Sequence, residues 1–556
     1  MRSKLFLSLM TLFISCVASA EHPLSEYVRT HLKSGMLEPS AWQELRKTIF
    51  YSTNELGQVT PELQEALYQI EEHHYPQFSP DSKSEFQAIL GEIGGKFKSL
   101  EFAAQMPKNN APYWISQEDD FKYYRSTASL PSRADIVIIG AGLTGSSAAY
   151  HLQQVAKSGK NVVILEAEHP ASQSTGKNGG NFQLLPENYM SGTYDGLIQE
   201  RVKWLKSQST DLNEVQLKKE AEIQARFLLQ FSFRNMARIT DIIKREAIAC
   251  DFSPNGWLKV ASSAEEEKSL MEDVKWMRTM ETPEIEILSP EQIRAQTHLP
   301  AHYAGRLIHG SGNYHPYKFV KGILHKALGS NIKLYTGIQV NQITPVKKGE
   351  VLIETQEGKI HASRVIVATN AFTSRLFPEL SGIQCVPSQL ATFNHVKNAL
   401  RGYTVTERYG DIYYNFPQSA HQVDSLGEKF GMLLYGLDFP EPGYDPYDIK
   451  RSQDILNQQL RQVHERFPST VGQPASSVWV GPMGFSDDRV PTIGFLSDDI
   501  IIAAGFQGYG GSFCIEAGYV AAQMSLTGET HPEVPEAIFS PKRFKLQKAL
   551  CPVSRK

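Results

Sequence analysis

Three glycines spaced Gly140-x-Gly142-x-x-Gly145, and the later carboxylate Glu166, are residues whose types and spacing imply chemistry directly. The chemistry is the grip of a dinucleotide. A glycine at 140 permits a tight turn, and one at 142 lets backbone approach a pyrophosphate resting on a helix N-terminus that Leu143 and Thr144 open. A glycine at 145 allows close helix–strand packing. Glu166 stands at the end of a second strand, where a carboxylate accepts hydrogen bonds from a ribose. Taken alone, this pattern serves NAD as readily as FAD. Two further stretches are rich in donors. The polar loop from Ser172 to Asn181 favours contact with an anion, and its place after a nucleotide-type βαβ unit makes it a second cofactor contact. Gly505, Gly508, Gly510 and Gly511 precede a helix, which offers oriented N–H groups and a positive dipole end.

Elements are needed to hold these residues. Ile136 to Ile139 is a short β-branched run, Ser146 to Ala156 is small and helix-compatible, and Asn161 to Glu166 is a second strand. Residues 331–369 contain several further strands, including a hairpin at Glu357-Gly358 and the apolar run Val365 to Ala368, that extend the first sheet; Ile500 to Ala504 returns to it. Helical periodicity covers residues 212–247, 262–296 and 452–467, with a strand at 256–261. Residues 385–480 alternate short strands with turns, as an antiparallel domain laid over the cofactor does.

The 556 residues exceed one compact core, and a composition of 41% apolar and 21% charged residues excludes general disorder, so two or three domains are expected. The net charge of -4 gives no bulk attraction to nucleic acid or to an anionic membrane. Arg2, Lys4, the apolar run from Leu5 to Val17 and Ala18-Ser-Ala20 read as a Sec-type secretory leader cleaved before Glu21, so the protein is expected to be periplasmic or secreted. An uncleaved leader, or lipidation at Cys16, would instead anchor it at a membrane; no later stretch is long and apolar enough to span one. Residues 21–130 read as a helical extension, with Trp42, Leu45 and Ile49 on one face, ending in a linker from Pro107 to Pro131. His73 and His74 diverge by about 100° on a helix and have no third ligand nearby, so they read as a solvated face, and no metal site is expected. Cys250, Cys385, Cys514 and Cys551 are too widely spaced for a metal and read chiefly as buried thiols.

In their order and spacing, several of these motifs resemble the D-amino-acid oxidase-like family of FAD-dependent oxidoreductases, which includes glycine, sarcosine and γ-glutamylputrescine oxidases. The resemblance runs over roughly residues 131–530. It rests on the glycine turn with Glu166, on Gly176-Lys-Asn178-Gly179-Gly180, on Cys250-Asp-Phe with Gly256-Trp-Leu, and on Ala368-Thr-Asn-Ala371. Trp479-x-Gly481 with Asp488-x-x-Pro491-x-Ile493-Gly494, and Gly505-Phe-Gln-Gly508-Tyr509-Gly510-Gly511, complete it. The resemblance implies non-covalent FAD, with Gly140, Gly142 and Gly145 at the pyrophosphate, Glu166 at the ribose and the Val340 backbone at the adenine. It further implies that Ser174, Asn178, Gly179 and Gly180 lie against phosphates or flavin, and that residues from Gly508 to Ser512 place N–H groups near flavin N1. Ser388 stands where many relatives carry arginine, beside a family-typical Gln389, and Gln418 to Lys429 is longer than a simple turn, so substrate identity does not transfer.

The expected fold is α/β. A Rossmann-type FAD-binding domain is assembled from discontinuous segments at about 131–200, 305–375 and 480–535, with an antiparallel α+β substrate domain from about 201–304 and 376–479 and a C-terminal tail at 536–556. A single dinucleotide fingerprint, without a second for NAD(P)H, argues that the substrate itself reduces the flavin. The expected reaction is hydride transfer from the carbon next to nitrogen of a small amine or amino acid, followed by imine hydrolysis, with oxygen or quinone as electron acceptor. A membrane-associated deaminase feeding quinone and a non-catalytic flavin-binding interaction protein are the competing classes. Arg408 could clamp a carboxylate, and Tyr413 and Tyr414 alternate on a strand, so one of them can face the pocket. Cys514 reads as a small core thiol rather than a covalent flavin link.

Overall fold

The computed structural model describes residues 23–51, 63, 66–67, 69–70, 73–99, 106–116, 129–155, 159–185, 193–208, 211–297, 301–397, 404–407, 412–414, 422–423, 429–440, 442–466 and 474–543. The β-branched runs become parallel strands. Arg133–Ile139 lies between Val162–Glu166 and Gly358–Val367, and Ile332–Thr336 flanks Val162–Glu166. Alternate residues serve two cores, as a strand's period of two requires. Ile136 and Ile138 face the cluster shared with the helices, while Val137 and Ile139 face the opposite one. Gly358–Val367 is long enough to hold two partners on one edge. Its first half pairs with the antiparallel strand Glu350–Thr355, which continues to Val340–Lys347, and Val365 to Val367 pair in parallel with Ile500 to Ile502. Helices Leu143–Val155, Pro316–Ala327 and Gly510–Thr527 are packed in a row, the first contacting the other two.

The second region carries two smaller sheets. One orders Gln422–Val423, Lys429–Asp438, Ile383–Lys397 and Ser477–Ser486, all antiparallel. The other orders Ile412–Tyr414, Thr404–Glu407, Trp257–Val260, Gly305–Ile308 and Ile285–Leu288. This second sheet departs from the antiparallel expectation, since Thr404–Glu407 runs parallel to Trp257–Val260. Ile285–Leu288, expected within a helical stretch, is a strand because Pro283 ends the helical pattern before it. Gly305–Ile308 belongs here too, so the dinucleotide sheet is re-entered at Ile332 rather than near residue 305.

Three corrections concern the ends of the chain. Helices Pro23–His31, Pro39–Tyr51 and Pro80–Ser99 do build a core of their own, in which Leu24, Trp42, Leu45 and Phe86 are buried. Within it His74 is buried rather than solvated, because the helix Pro23–His31 brings the Ser25 hydroxyl to 3.0 Å from its Nε2. Residues 106–116, expected as linker, form a strap on the core. The Arg451 guanidinium donates to the Pro107 carbonyl at 2.7 Å, the Ser477 hydroxyl donates to the Ala111 carbonyl at 2.7 Å, and Trp114 is buried. The tail is packed as far as Arg543: Ile538 and Phe539 join the main core, and Arg543 donates to both Asp488 oxygens at 2.9 and 3.0 Å.

Candidate functional site

A cavity of about 470 Å³ opens where the parallel strands end, within the usual range for small-molecule and cofactor sites. Gly140, Gly142, Leu143, Thr144, Glu166 and Val340 line one end; Ser174, Asn178 and Gly179 line its side; Gly508, Tyr509, Gly510 and Gly511 line the other. The first turn is built by steric necessity. Gly140 has φ +98°, and a Cβ there would lie 2.8 Å from the Ala368 carbonyl oxygen. A Cβ on Gly145 would overlap the Gly140 carbonyl oxygen itself, so Gly145 stands behind the cavity wall and fixes its shape. Leu143 N–H donates to the Thr175 hydroxyl at 3.1 Å, which ties the helix start to the polar loop; no sequence signal had singled out Thr175.

Glu166 closes this end. Its Oε2 accepts from Ala141 N–H at 2.8 Å and its Oε1 from Glu168 N–H at 3.0 Å, while the Glu166 carbonyl accepts from Ile338 N–H at 2.9 Å. Burial raises the carboxyl pKa, and these N–H groups pull against that rise. The strand of Val340 is thereby held beside the carboxylate.

Tryptophans from two distant segments grip the polar loop. Trp114 Nε1–H donates to the Asn178 carbonyl at 2.7 Å, and Trp479 Nε1–H donates to the Lys177 carbonyl at 3.0 Å. Gly180 lies behind the loop, where a Cβ would come within 2.5 Å of the Trp114 ring. Trp114 was missed because its proline-containing surroundings read as linker. The Lys177 ammonium is committed to Gln173 Oε1 at 2.8 Å, and the Ser174 hydroxyl donates to the Pro482 carbonyl.

At the far end, Asn370 Oδ1 accepts from Gly505 N–H at 3.1 Å, and Asn235 braces the helix start by donating to the Gly511 carbonyl at 2.7 Å. Gly505 therefore supports the turn rather than lining the cavity. Three buried polar atoms of cavity-lining residues have no partner among the described residues: Ser172 Oγ, Gln183 Nε2 and Gln507 Oε1. Neither glutamine was a sequence candidate. Cys514 also lines the cavity, and burial pushes its thiol up to about 12, so it is held as the unreactive thiol.

The four-stranded sheet covers the cavity with alternate residues: Ser388 and Leu390, then Leu434, Gly436 and Asp438, then Gly481 and Met483. Gln389 points the other way, accepting from Ser452 N–H at 2.7 Å and bonding Gln459 behind the sheet. Of the substrate-contact candidates, Arg408 lies outside the described residues. Tyr413 and Tyr414 sit in the Ile412–Tyr414 strand, paired with Thr406 and Val405, and their side chains lie outside what is described.

A parallel sheet ending in a glycine turn and terminal carboxylate, with a second glycine turn across the same cavity, defines a dinucleotide-binding α/β protein. Residues 135–524 match the model of the FAD dependent oxidoreductase (DAO) family, and the chain belongs to that family. It is 26% identical over 400 residues to the probable oxidoreductase OrdL of Rhizobium meliloti, across 72% of this chain and 84% of that protein. Identity to the gamma-glutamylputrescine oxidoreductase of Escherichia coli is 24% over 425 residues, covering 75% and 89% of the two chains. The crystal structure of glycine oxidase from Geobacillus kaustophilus shares the fold, with a TM-score of 0.56 at 18% identity over 74% of this chain and 99% of that one.

FAD is the cofactor of this family, and the residues present fit it. The cradle at Gly140 and Gly142 admits no side chain where the backbone must approach phosphate: a Cβ on Gly142 would stand 3.0 Å from the Thr175 hydroxyl. The partnerless Gln183 amide N–H and Gln507 carbonyl oxygen supply a donor and an acceptor of the kind a flavin ring edge requires.

Proposed function

We propose that the protein oxidises the carbon–nitrogen bond of a small amine or amino acid. The observation that carries the reading is the continuity of one cavity from the Gly140 turn to the sheet face of Leu390, Leu434 and Met483. In this reading Gly140, Gly142, Leu143, Thr144 and Gly145 shape the pyrophosphate seat, Glu166 takes the ribose, and Val340 borders the adenine. Ser174, Asn178, Gly179, Gly180, Gly505, Gly508, Tyr509, Gly510 and Gly511 form the loops around the flavin, held without a covalent bond. When bound, FAD supplies the hydride acceptor that turns an amine into an imine, whose hydrolysis releases a carbonyl product.

The chain's own residues do the rest. Leu390, Leu434 and Met483 exclude water and favour the neutral form of the reacting amine, and the sheet orients its C–H bond. The helix start at Gly510, braced by Asn235, offers N–H groups and a positive dipole end where negative charge develops.

Anaerobic bleaching of the holoprotein across D- and L-amino acids, N-methyl amino acids and polyamines tests the reading; failure of every compound to bleach the flavin overturns it. Reoxidation by air or by a quinone then assigns the acceptor. Among the described residues no helix is long and apolar enough to cross a membrane. Export through the leader at residues 1–20 is part of the same proposal, and normal processing after Ala18 and Ala20 are replaced by bulky residues would remove the assigned cleavage site.

A further inference from the structure

The sheet face over the cavity carries a charge that the grip on FAD does not use. Residues facing the cavity along Lys429–Asp438 alternate as Leu434, Gly436 and Asp438. The Leu434 side chain lies 4.0 Å from where a Cβ on Gly179 would stand, beside the polar loop. Asp438 is four residues further, about 13 Å along a strand. It is paired with Ser388, which in turn pairs with Gly481 above Lys177.

Among the described residues no cationic side chain forms an ion pair with Asp438. The two cations that line the cavity are engaged elsewhere: Lys177 with Gln173, Arg375 with Asp445 and the Tyr447 ring. The Asp438 side chain is accessible and lines the cavity, yet enough protein surrounds its carboxyl to push the pKa above the ordinary carboxylate value, and the Ser388 hydroxyl opposes that rise. A carboxylate that lines the cavity without a cation of its own attracts a positive charge carried by the ligand. FAD cannot bring one, because its charges are phosphates. The substrate can.

We infer that Asp438, with Ser388 beside it, receives an ammonium group of the substrate remote from the carbon–nitrogen bond being oxidised. The substrate class is then a diamine or polyamine, and a carboxylate in place of the distal ammonium is rejected by like charge. This rests on the amine-oxidising reading above.

The test uses holoprotein with 1,4-diaminobutane, n-butylamine and 4-aminobutanoate, which share a chain length and differ in the distal group. Binding is read from perturbation of the oxidised flavin spectrum, and oxidation from anaerobic bleaching. The expected result is binding of the diamine at least tenfold tighter than of butylamine, with 4-aminobutanoate weakest. Asp438→Asn should weaken the diamine at least tenfold and leave butylamine within twofold; Asp438→Glu should recover part of the loss. Equal binding of diamine and butylamine, tighter binding of 4-aminobutanoate, or a diamine preference that survives Asp438→Asn would each overturn the inference. Loss of diamine binding in the variant without bleaching in either protein would keep the Asp438 site and remove the oxidation reading instead.

Discussion

The two walls of the cavity are built by opposite means. The dinucleotide wall works by the absence of side chains: Gly140, Gly142 and Gly145 clear space, and backbone N–H groups and one carboxylate fill it. The sheet wall works by the presence of side chains, Ser388, Leu390, Leu434, Asp438 and Met483, delivered by strands far apart in sequence. The first wall can hold one kind of ligand and tolerates little change. The second can be rewritten without touching the first, which is where members of one fold can differ in substrate.

A pair of glycines gives the sharpest contrast and the largest expected effect. In Gly145→Ala the new methyl meets backbone, the Gly140 carbonyl oxygen, which cannot step aside; loss of flavin retention and a stability loss beyond about 4 kcal/mol are expected. In Gly436→Ala the methyl meets the Leu390 side chain at an ordinary 3.5 Å, so flavin content should hold while substrate affinity shifts. Flavin absorbance per mole of protein and thermal unfolding check both, and equal behaviour of the two variants would erase the contrast.

Next in size is the buried cluster that joins the regions. Asp488 accepts from Arg201, and Arg543 grips both its oxygens; all three residues are buried, and the two guanidinium groups hold the Asp488 carboxyl below its ordinary pKa against the cost of burial. Asp488→Ala removes the buried carboxylate that both guanidinium groups hold, at a cost of about 3–5 kcal/mol. Chemical denaturation measures it. A loss below about 1 kcal/mol would mean that the two regions stand without this joint.

The same contrast explains what could be read in advance. A glycine turn is legible because its spacing is a local steric requirement, so Gly140, Gly142, Leu143, Thr144, Glu166 and the loops at Asn178 and Gly508 all reach one cavity, with Gly145 behind its wall. Asp438, Gln183 and Thr175 carry no local mark. Their roles come from register and from partners elsewhere in the chain, as with Thr175, which accepts from Leu143 N–H 32 residues away, and the Gln183 carbonyl, which accepts from the Ser512 hydroxyl 329 residues away. Trp114 was illegible for a different reason, since its prolines and lost periodicity match a linker and only docking shows the strap.

The strap gives a smaller prediction. Trp114→Phe keeps a ring against Gly180 but removes the N–H that the Asn178 carbonyl accepts. One part-buried acceptor loses its partner, worth about 1 kcal/mol. The effect should appear in the FAD dissociation constant more than in the discrimination between substrates, because Trp114 reaches the cofactor loop, while the strap meets the four-stranded sheet through Ser477 and Val478, which do not line the cavity. A change in substrate discrimination with unchanged FAD affinity would reverse that assignment.

The smallest effect separates the two regions by acid. His151 and His315 are buried in the dinucleotide half, one packed against Tyr519 of the Gly510–Thr527 helix, the other capping Pro316–Ala327 and lying on Trp114. Burial lowers each pKa to about 3, with the positive charges of Arg238 and Arg245 adding to this at His151 and Lys318 at His315. Each is therefore neutral when folded and takes a proton when unfolded below about pH 6.5, so its share of stability is complete above that pH and is lost as pH falls toward 3. Between pH 6.5 and 5.5 the loss is about 1 kcal/mol per group. Glu516 and Asp273, both pushed up to about 7 chiefly by burial, act in the opposite sense, losing stability as pH rises from their ordinary values toward 7. The net slope is a sum, so the measure is a difference. His151→Gln should lessen the loss on acidification by about 1 kcal/mol over that unit of pH, seen as flavin release and unfolding in urea at both pH values. An unchanged difference between the two pH values would place the acid sensitivity outside this histidine.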